Sequence, residues 1–167
     1  KKYKNLNKHS IGIEITNAGH EFGYKLFSKK QISSIIRLSN DLLQKYKIDK
    51  KNILGHSDIA PDRKKDPGEN FPWKHLAKKN IGIWHQLDNK KIAIHRSKNC
   101  DLIMKRQFVR NLSKIGYHIK MKDSLDSNKY LVNVIKAFQR RFRFILINGI
   151  IDKECLLISQ NLVKLMK

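Results

Sequence analysis

Residues 11–16 read Ile11-Gly12-Ile13-Glu14-Ile15-Thr16 and alternate strictly between isoleucine and small or polar side chains. Successive side chains of a β-strand point to opposite faces, so this period of two predicts a half-buried strand. The polar face of that strand carries one carboxylate, Glu14, between the small side chains of Gly12 and Thr16. We therefore expect an apolar face that packs on a core and an accessible carboxylate on the opposite face.

An amphipathic helix is predicted to follow this strand. Ser28 and Gln31 have the spacing of a capping box, and Phe27 and Ile32 flank the cap as a hydrophobic staple. The apolar positions of the helix recur with a helical period at Ile32, Ile35, Ile36, Leu42, Leu43 and Tyr46. This stripe is expected to pack on the apolar face of residues 11–16.

A second short strand is predicted at Ile53-Leu54, and an ordered loop is predicted over residues 55–73. Pro61, Pro67 and Pro72 exclude a continuous helix or a central strand in that loop. Loops held on a rigid scaffold are common places for functional side chains. The loop is therefore the first place to look for chemistry.

The C-terminal part of the chain is predicted to be helical. Its three apolar stripes of helical period are Leu102, Val109 and Leu112, then Leu131, Ile135, Phe138 and Phe142, then Leu156, Leu162 and Leu165. Gly116 is placed to end the first helix, and Asp152 is placed to cap the third. We expect a small three-helix domain over residues 101–167, preceded by a polar and basic linker over residues 88–100.

Four side chains in the first half of the chain have the chemistry that amide hydrolysis requires. His56 and Asp66 are suitable zinc ligands, and a loop punctuated by prolines can bring them to one ion. Lys64, two residues before Asp66, can neutralise charge on a substrate oxygen, and Glu14 can transfer a proton. Each residue also has an ordinary alternative: a hydrogen-bonded histidine, a turn aspartate, or a solvated lysine or glutamate. From the residues alone, both interpretations stay open.

The sequence from Gly55 to Gly68, followed by Phe71-Pro72-Trp73, closely resembles a loop of the N-acetylmuramoyl-L-alanine amidase type 2 family. That loop provides zinc ligands in the family. Residues 10–15 resemble the strand that carries the family's catalytic glutamate, and the two segments occur in the family's order. The resemblance covers residues 5–85 and is closest to the branch that also cleaves 1,6-anhydro-muramyl peptides.

The resemblance implies a role for each of the four residues. His56 and Asp66 match the zinc ligands of the loop, and Lys64 and Glu14 match the residues that assist catalysis. The implied reaction is zinc-dependent hydrolysis of the amide bond between N-acetylmuramic acid, or its 1,6-anhydro form, and L-alanine in peptidoglycan or muropeptides. The resemblance assigns no substrate-binding residue. The implied fold is an α/β domain with a mixed sheet flanked by helices, of which residues 1–87 would be the C-terminal part.

The predicted helical domain resembles the peptidoglycan-binding domain that often accompanies these amidases. The resemblance is carried by residues 112–117, 134–142 and 148–152, which occur in the family's order. It implies that residues 101–167 anchor the enzyme on the cell wall. The implied location is the cell envelope, in the periplasm.

The family has a further zinc ligand, a histidine at the end of a strand that precedes the catalytic glutamate strand. His9 and His20 flank residues 11–16 and do not match its position, and the chain begins at Lys1. We therefore expect an amidase domain that is incomplete at its N-terminus and nearly inactive unless a complementing N-terminal fragment provides the ligand. The alternative is a peptidoglycan-binding protein that does not cleave its ligand.

Composition limits the remaining classes of function. The chain has 167 residues and a formal net charge of +22, which either attracts a polyanion or reflects lysines spread over every exposed face. We expect no nucleic-acid partner, because no basic run is interleaved with spaced aromatic residues. We also expect no transmembrane segment, because no apolar run is long enough. The two cysteines, Cys100 and Cys155, form no CxxC pair, and two separate buried thiols are expected.

Overall fold

The computed structural model describes residues 6–119 and 129–166, so residues 1–5, 120–128 and 167 of the predicted domains lie outside the described residues. The described part folds into helices with the bounds α1 Lys29–Tyr46, α2 His56–Ile59, α3 Trp73–Ala77, α4 Asn89–Ala93, α5 Leu102–Ile115, α6 Lys129–Phe142 and α7 Lys153–Leu165. Short 3-10 turns occur at Leu6–His9, His20–Phe22 and Lys50–Asn52. None of the helices in this part of the chain is long and apolar enough to span a membrane.

The prediction of a mixed sheet flanked by helices is wrong for the described residues. Neither residues 11–16 nor Ile53-Leu54 form a strand. Within the described residues 6–119 and 129–166, the single isolated β-bridge joins Asn99 to Asp152. A strand is stable only when a neighbouring strand pairs with its N–H and C=O groups, and no other extended segment of the described chain does so here. The alternating sequence is therefore present without the ladder that would make it a strand.

The isoleucines of residues 11–16 do not form the buried apolar face that the strand prediction requires. Ile11 and Ile13 are 49% and 40% exposed. Ile15 is partly buried against a small core that contains Ile35 of α1 and Trp73 of α3. The predicted packing of α1 on this segment is thus limited to one end of it.

Helix α1 begins as predicted. The Ser28 hydroxyl accepts a hydrogen bond from the Gln31 backbone N–H, and the Gln31 side chain accepts one from the Ser28 N–H, which completes the capping box. Most of the predicted stripe faces the core, with Ile35 buried, whereas Tyr46 at the last position is 54% exposed. The Gln31 amide also donates to the Thr16 carbonyl at 2.7 Å, which ties the helix start to the end of residues 11–16.

Helices α5, α6 and α7 pack around the larger core. Phe108, Leu112, Phe138, Ile158 and Leu162 are all fully buried there. The predicted ends are confirmed: Gly116 follows α5 with a φ of 118°, and the Asp152 carboxylate caps α7 by accepting from the Cys155 N–H at 2.9 Å. Cys100 and Cys155 are buried free thiols, as expected.

Residues 88–100, predicted to be a linker, contain α4 and contact α7. The Arg96 guanidinium makes two hydrogen bonds of 2.7 and 2.8 Å to the carboxylate of Glu154. The Lys98 carbonyl accepts from the Lys153 N–H at 3.0 Å. The division of the chain at this segment into an amidase part and a helical domain stays a prediction.

A buried histidine beside Trp84, which packs against both cores, predicts a pH-dependent stability. His85 is 5% exposed, its ring lies against Trp84, and its Nδ1 has no hydrogen-bond partner among the described residues. Burial, and secondarily the charge of Lys74, lower the pKa of His85 to about 4. An unfolded histidine titrates near 6.5, so between pH ~6.5 and ~4 the unfolded chain binds a proton that the folded chain does not.

Stability should therefore fall as the pH is lowered through this window, by at most about 1.4 kcal/mol per pH unit from this one group. Urea unfolding of the parent and of His85→Gln at pH 7 and pH 5 measures it. We expect the parent to lose more stability than the variant across that interval. Equal losses in the two proteins would show that His85 does not titrate in this way.

Candidate metal centre

The ligand loop, residues 55–68, is closed on itself by short backbone contacts. Gly55 precedes the single-turn helix α2, and its N–H donates to the Asp58 carboxylate at 2.9 Å. The Ser57 N–H donates to the Asp66 carbonyl at 3.0 Å, which holds the two ends of the loop together. A Cβ atom at Gly55 would lie 2.7 Å from Cδ of Pro67, so the close approach of these two segments requires glycine.

This closure brings the two predicted zinc ligands together. Nδ1 of His56 lies 2.5 Å from Oδ2 of Asp66, and the two side chains are 57% and 54% exposed. Imidazole nitrogen and carboxylate oxygen are donor types that zinc accepts. The two donor atoms therefore lie side by side and are open to solvent, so that water and a substrate could reach a metal ion bound there.

The donor set is a pair rather than a triad within the described residues, where no group of three His, Cys, Asp or Glu side chains could hold a metal ion. Of the other histidines, His20 contacts Glu69 at 3.0 Å, and His85 is buried beside Trp84. The donor types of His56 and Asp66 fit zinc, the ligand loop brings the two side chains side by side, and a catalytic site needs at least one more protein donor.

Glu14 and Lys64 are exposed, and no hydrogen bond or ion pair in the described ranges joins either side chain to His56 or Asp66. The backbone of Lys64 is ordered, because its N–H donates to the Ala60 carbonyl at 2.9 Å. The roles assigned to these two residues by resemblance therefore stay predictions.

Behind the ligand loop lies a buried ion pair that the sequence analysis missed. Nη1 of Arg141, in α6, donates to Oδ2 of Asp58 at 2.5 Å, and both side chains are at most 4% exposed. The Tyr117 hydroxyl donates to the other oxygen of Asp58 at 2.6 Å. Nη2 of Arg141 donates to the Ile53 carbonyl at 2.9 Å, and the guanidinium lies 4.1 Å from the ring centre of Trp73.

One signal in the sequence points to this pair. Arg141 falls on the apolar stripe of α6, three residues after Phe138 and seven after Val134, where a charge is unusual. A charge on a buried stripe requires a partner. The sequence does not show which of the acidic residues that partner is.

A tyrosine supports the other end of the ligand loop. The Tyr24 hydroxyl donates to the Pro67 carbonyl at 2.5 Å and accepts from the Asn70 N–H at 3.2 Å. Burial raises the pKa of Tyr24 to about 12, so the hydroxyl keeps its proton at any physiological pH. Gly68, with a φ of 84°, lies against this ring, and a Cβ there would overlap it.

A cavity of about 390 Å³ lies next to the ligand loop and does not include the donor pair. Its lining is mainly apolar and comprises Leu26, Phe71, Trp73, Trp84 and Phe144, with Lys74, His75 and Lys78 among its polar residues. His56 and Asp66 lie outside it. The cavity is therefore separate from the candidate chemistry.

Comparison with known proteins finds amidases among the chain's relatives. The family model described as N-acetylmuramoyl-L-alanine amidase matches residues 2–69. The N-acetylmuramoyl-L-alanine amidase AmiD of Escherichia coli is 34% identical over 164 residues, which are 95% of this chain and 58% of AmiD. The 1,6-anhydro-N-acetylmuramyl-L-alanine amidase AmpD of Haemophilus influenzae is 39% identical over 69 residues, 41% of this chain and 35% of AmpD.

A solved structure extends the similarity to the whole chain. AmpDH3 from Pseudomonas aeruginosa, in complex with anhydromuramic pentapeptide, superposes with a TM-score of 0.80 at 30% sequence identity. The superposition covers 99% of this chain and 66% of AmpDH3. This chain thus spans a little over half of AmiD and about two thirds of AmpDH3. The chain is thus similar to N-acetylmuramoyl-L-alanine amidases in both sequence and fold.

Proposed function

We propose that His56 and Asp66 are zinc donors of an amidase centre that hydrolyses the bond between N-acetylmuramic acid, or its 1,6-anhydro form, and L-alanine. The observation that carries the proposal is the 2.5 Å approach of His56 Nδ1 to Asp66 Oδ2 on an exposed, internally bonded loop. When bound, zinc supplies a Lewis acid that polarises the scissile carbonyl and favours ionisation of water.

The remaining steps are assigned to two exposed side chains. In this proposal, the Glu14 carboxylate takes a proton from the attacking water and delivers it to the nitrogen of the leaving L-alanine. The ammonium group of Lys64 stabilises the negative charge that develops on the carbonyl oxygen. In support, both side chains are exposed and neither is engaged in an ion pair within the described ranges.

The substrate in this proposal follows from the ligands of the relatives, and the location follows from the family resemblance of the sequence. AmiD is described in complex with anhydro-N-acetylmuramic acid-L-Ala-D-gamma-Glu-L-Lys, and AmpDH3 with anhydromuramic pentapeptide. We assign muropeptides or peptidoglycan as the substrate of this chain, and the periplasm as its location. In the same proposal, residues 101–167 bind the cell wall, and a complementing polypeptide segment provides the further zinc donor.

Hydrolysis of a muramyl tripeptide, followed by chromatography of the released peptide, tests the proposed reaction. When the complementing segment that provides the further zinc donor is present, we expect turnover that requires zinc, disappears in His56→Ala and Asp66→Ala, and falls by roughly 100-fold or more in Glu14→Gln. His75→Ala, an exposed histidine outside the donor pair, is the matched control and should retain the parent rate. Release of peptide that persists in both donor variants and in a chelator would contradict the proposal.

The second candidate function is binding of peptidoglycan without cleavage. It is favoured by the donor set, which is limited to two side chains in the described part of the chain. A pulldown on insoluble peptidoglycan, with and without chelator, separates the two functions. Retention that is independent of zinc, with no peptide released, would favour the binding protein over the amidase.

A further inference from the structure

The Asp58–Arg141 pair joins the ligand loop to a helix that lies far away in the sequence. Asp58 belongs to α2 and Arg141 to the last turn of α6, and the two helices pack together. Both charged groups are removed from solvent, and the guanidinium stacks on the ring of Trp73 at 4.1 Å. A charge-assisted hydrogen bond in such a setting has a well-defined geometry, because water does not compete for its atoms.

Arg141 contacts the chain on both sides of His56. One of its nitrogens bonds the Asp58 carboxylate, two residues after His56, and the other bonds the Ile53 carbonyl, three residues before it. The Asp58 carboxylate in turn accepts from the Gly55 N–H at the start of α2. The backbone that carries the His56 side chain is therefore held at three points by one buried network.

The network also reaches the second donor. The Ser57 N–H, between His56 and Asp58, donates to the Asp66 carbonyl at 3.0 Å. Asp58 is fixed from its far side by the Tyr117 hydroxyl, whose pKa is raised well above its ordinary value by burial, so this hydroxyl remains a hydrogen-bond donor. A shift of α2 relative to α6 would consequently change the position of His56 with respect to Asp66.

We propose that Arg141 is a positioning residue for the zinc centre: from helix α6 it fixes α2 and so sets the alignment of His56 with Asp66. This inference rests on the proposed function of that pair. It assigns to the C-terminal helices a role inside the amidase centre, in addition to any contact with the cell wall. Groups that orient metal ligands typically change metal affinity by roughly 10- to 100-fold when they are removed.

A matched control lies two residues further along the chain. Nη1 of Arg143 is paired with Asp152 at 3.0 Å and lies 3.8 Å from Glu154, and these side chains are at most 3% exposed. It is thus a buried arginine of the same kind, but its partners belong to the start of α7 rather than to the ligand loop. Its loss should reduce stability without affecting the donor pair.

The test measures the zinc dissociation constant by competition with a chromophoric chelator, at a temperature where circular dichroism shows each variant to be folded. We expect Arg141→Met to weaken zinc binding by roughly tenfold or more and Arg143→Met to change it by less than about twofold. Equal weakening in both variants would reduce Arg141 to a stabilising residue. Unchanged affinity in Arg141→Met would also overturn the inference.

A second variant and a zinc-free readout cover the case in which Arg141→Met does not fold. Arg141→Lys keeps a charge for Asp58 but cannot make both bonds, so in the zinc-free protein the Ser57 amide should exchange its hydrogen faster than in the parent. An unchanged Ser57 exchange rate would overturn the inference.

If His56→Ala binds zinc as tightly as the parent does, the proposed function fails, and that outcome is distinct from failure of the role proposed for Arg141 alone.

Discussion

Asp58→Ala is expected to lower the free energy of unfolding by about 3–5 kcal/mol, because it leaves the guanidinium of Arg141 buried without its partner. Arg141 is 3% exposed, and the substitution also removes the acceptor of the Tyr117 hydroxyl and of the Gly55 N–H. Urea unfolding followed by far-ultraviolet circular dichroism measures the change. Arg141 and Asp58 form a buried ion pair between the ligand loop and α6, so a cost of this size is expected.

The control for Asp58→Ala is Asp62→Ala, four residues later on an exposed part of the same loop. We expect Asp62→Ala to change stability by less than about 0.5 kcal/mol. The double variant Asp58→Leu with Arg141→Met removes both charges and should recover part of the loss, because no buried charge is then left alone. A loss below about 1 kcal/mol in Asp58→Ala would mean that water or another group already compensates Arg141.

Phe138→Ala should be equally costly, at about 3–5 kcal/mol, for a different reason. Phe138 is fully buried, and its ring centre lies 5.2 Å from those of both Phe108 and Phe142. The substitution removes apolar area and leaves a cavity among α5, α6 and α7 that rigid helices cannot fill. The same unfolding assay measures it.

Ile145→Ala is the control for Phe138→Ala, since Ile145 is 65% exposed just beyond α6. We expect it to lower the free energy of unfolding by less than about 1 kcal/mol. A comparable effect of the two substitutions would show that the larger core is not the main source of stability. Because Tyr117 also contacts Phe138, with ring centres 6.3 Å apart, loss of Phe138 should slightly loosen the support of Asp58 as well.

The helices were predictable because their signals are local. The Ser28 capping box, the Asp152 cap and the glycine at 116 each act within a few residues, and the structure confirms all three. The predicted strand at residues 11–16 was wrong, because a period of two shows only that a segment is able to join a ladder. Whether a partner strand exists depends on distant parts of the chain, and the described residues provide none.

The candidate site shows the same division between local and distant information. The spacing of His56 and Asp66 within one proline-bounded loop left a metal pair open, the family resemblance implied it, and the structure brings the two side chains into contact. Arg141 and Tyr117 were missed because their contact with Asp58 joins segments that lie far apart in the sequence. The roles of Glu14 and Lys64 depend on a bound substrate, and they stay predictions.

The most direct test of the zinc assignment is the metal affinity of the folded chain, measured by equilibrium dialysis with elemental analysis. The parent, His56→Ala, Asp66→Ala and His75→Ala are compared at equal protein concentration. If His56 and Asp66 are zinc donors, His56→Ala and Asp66→Ala each bind far less zinc than the parent does. His75→Ala then binds the same amount of zinc as the parent. Zinc binding that is unchanged in both His56→Ala and Asp66→Ala would contradict the account.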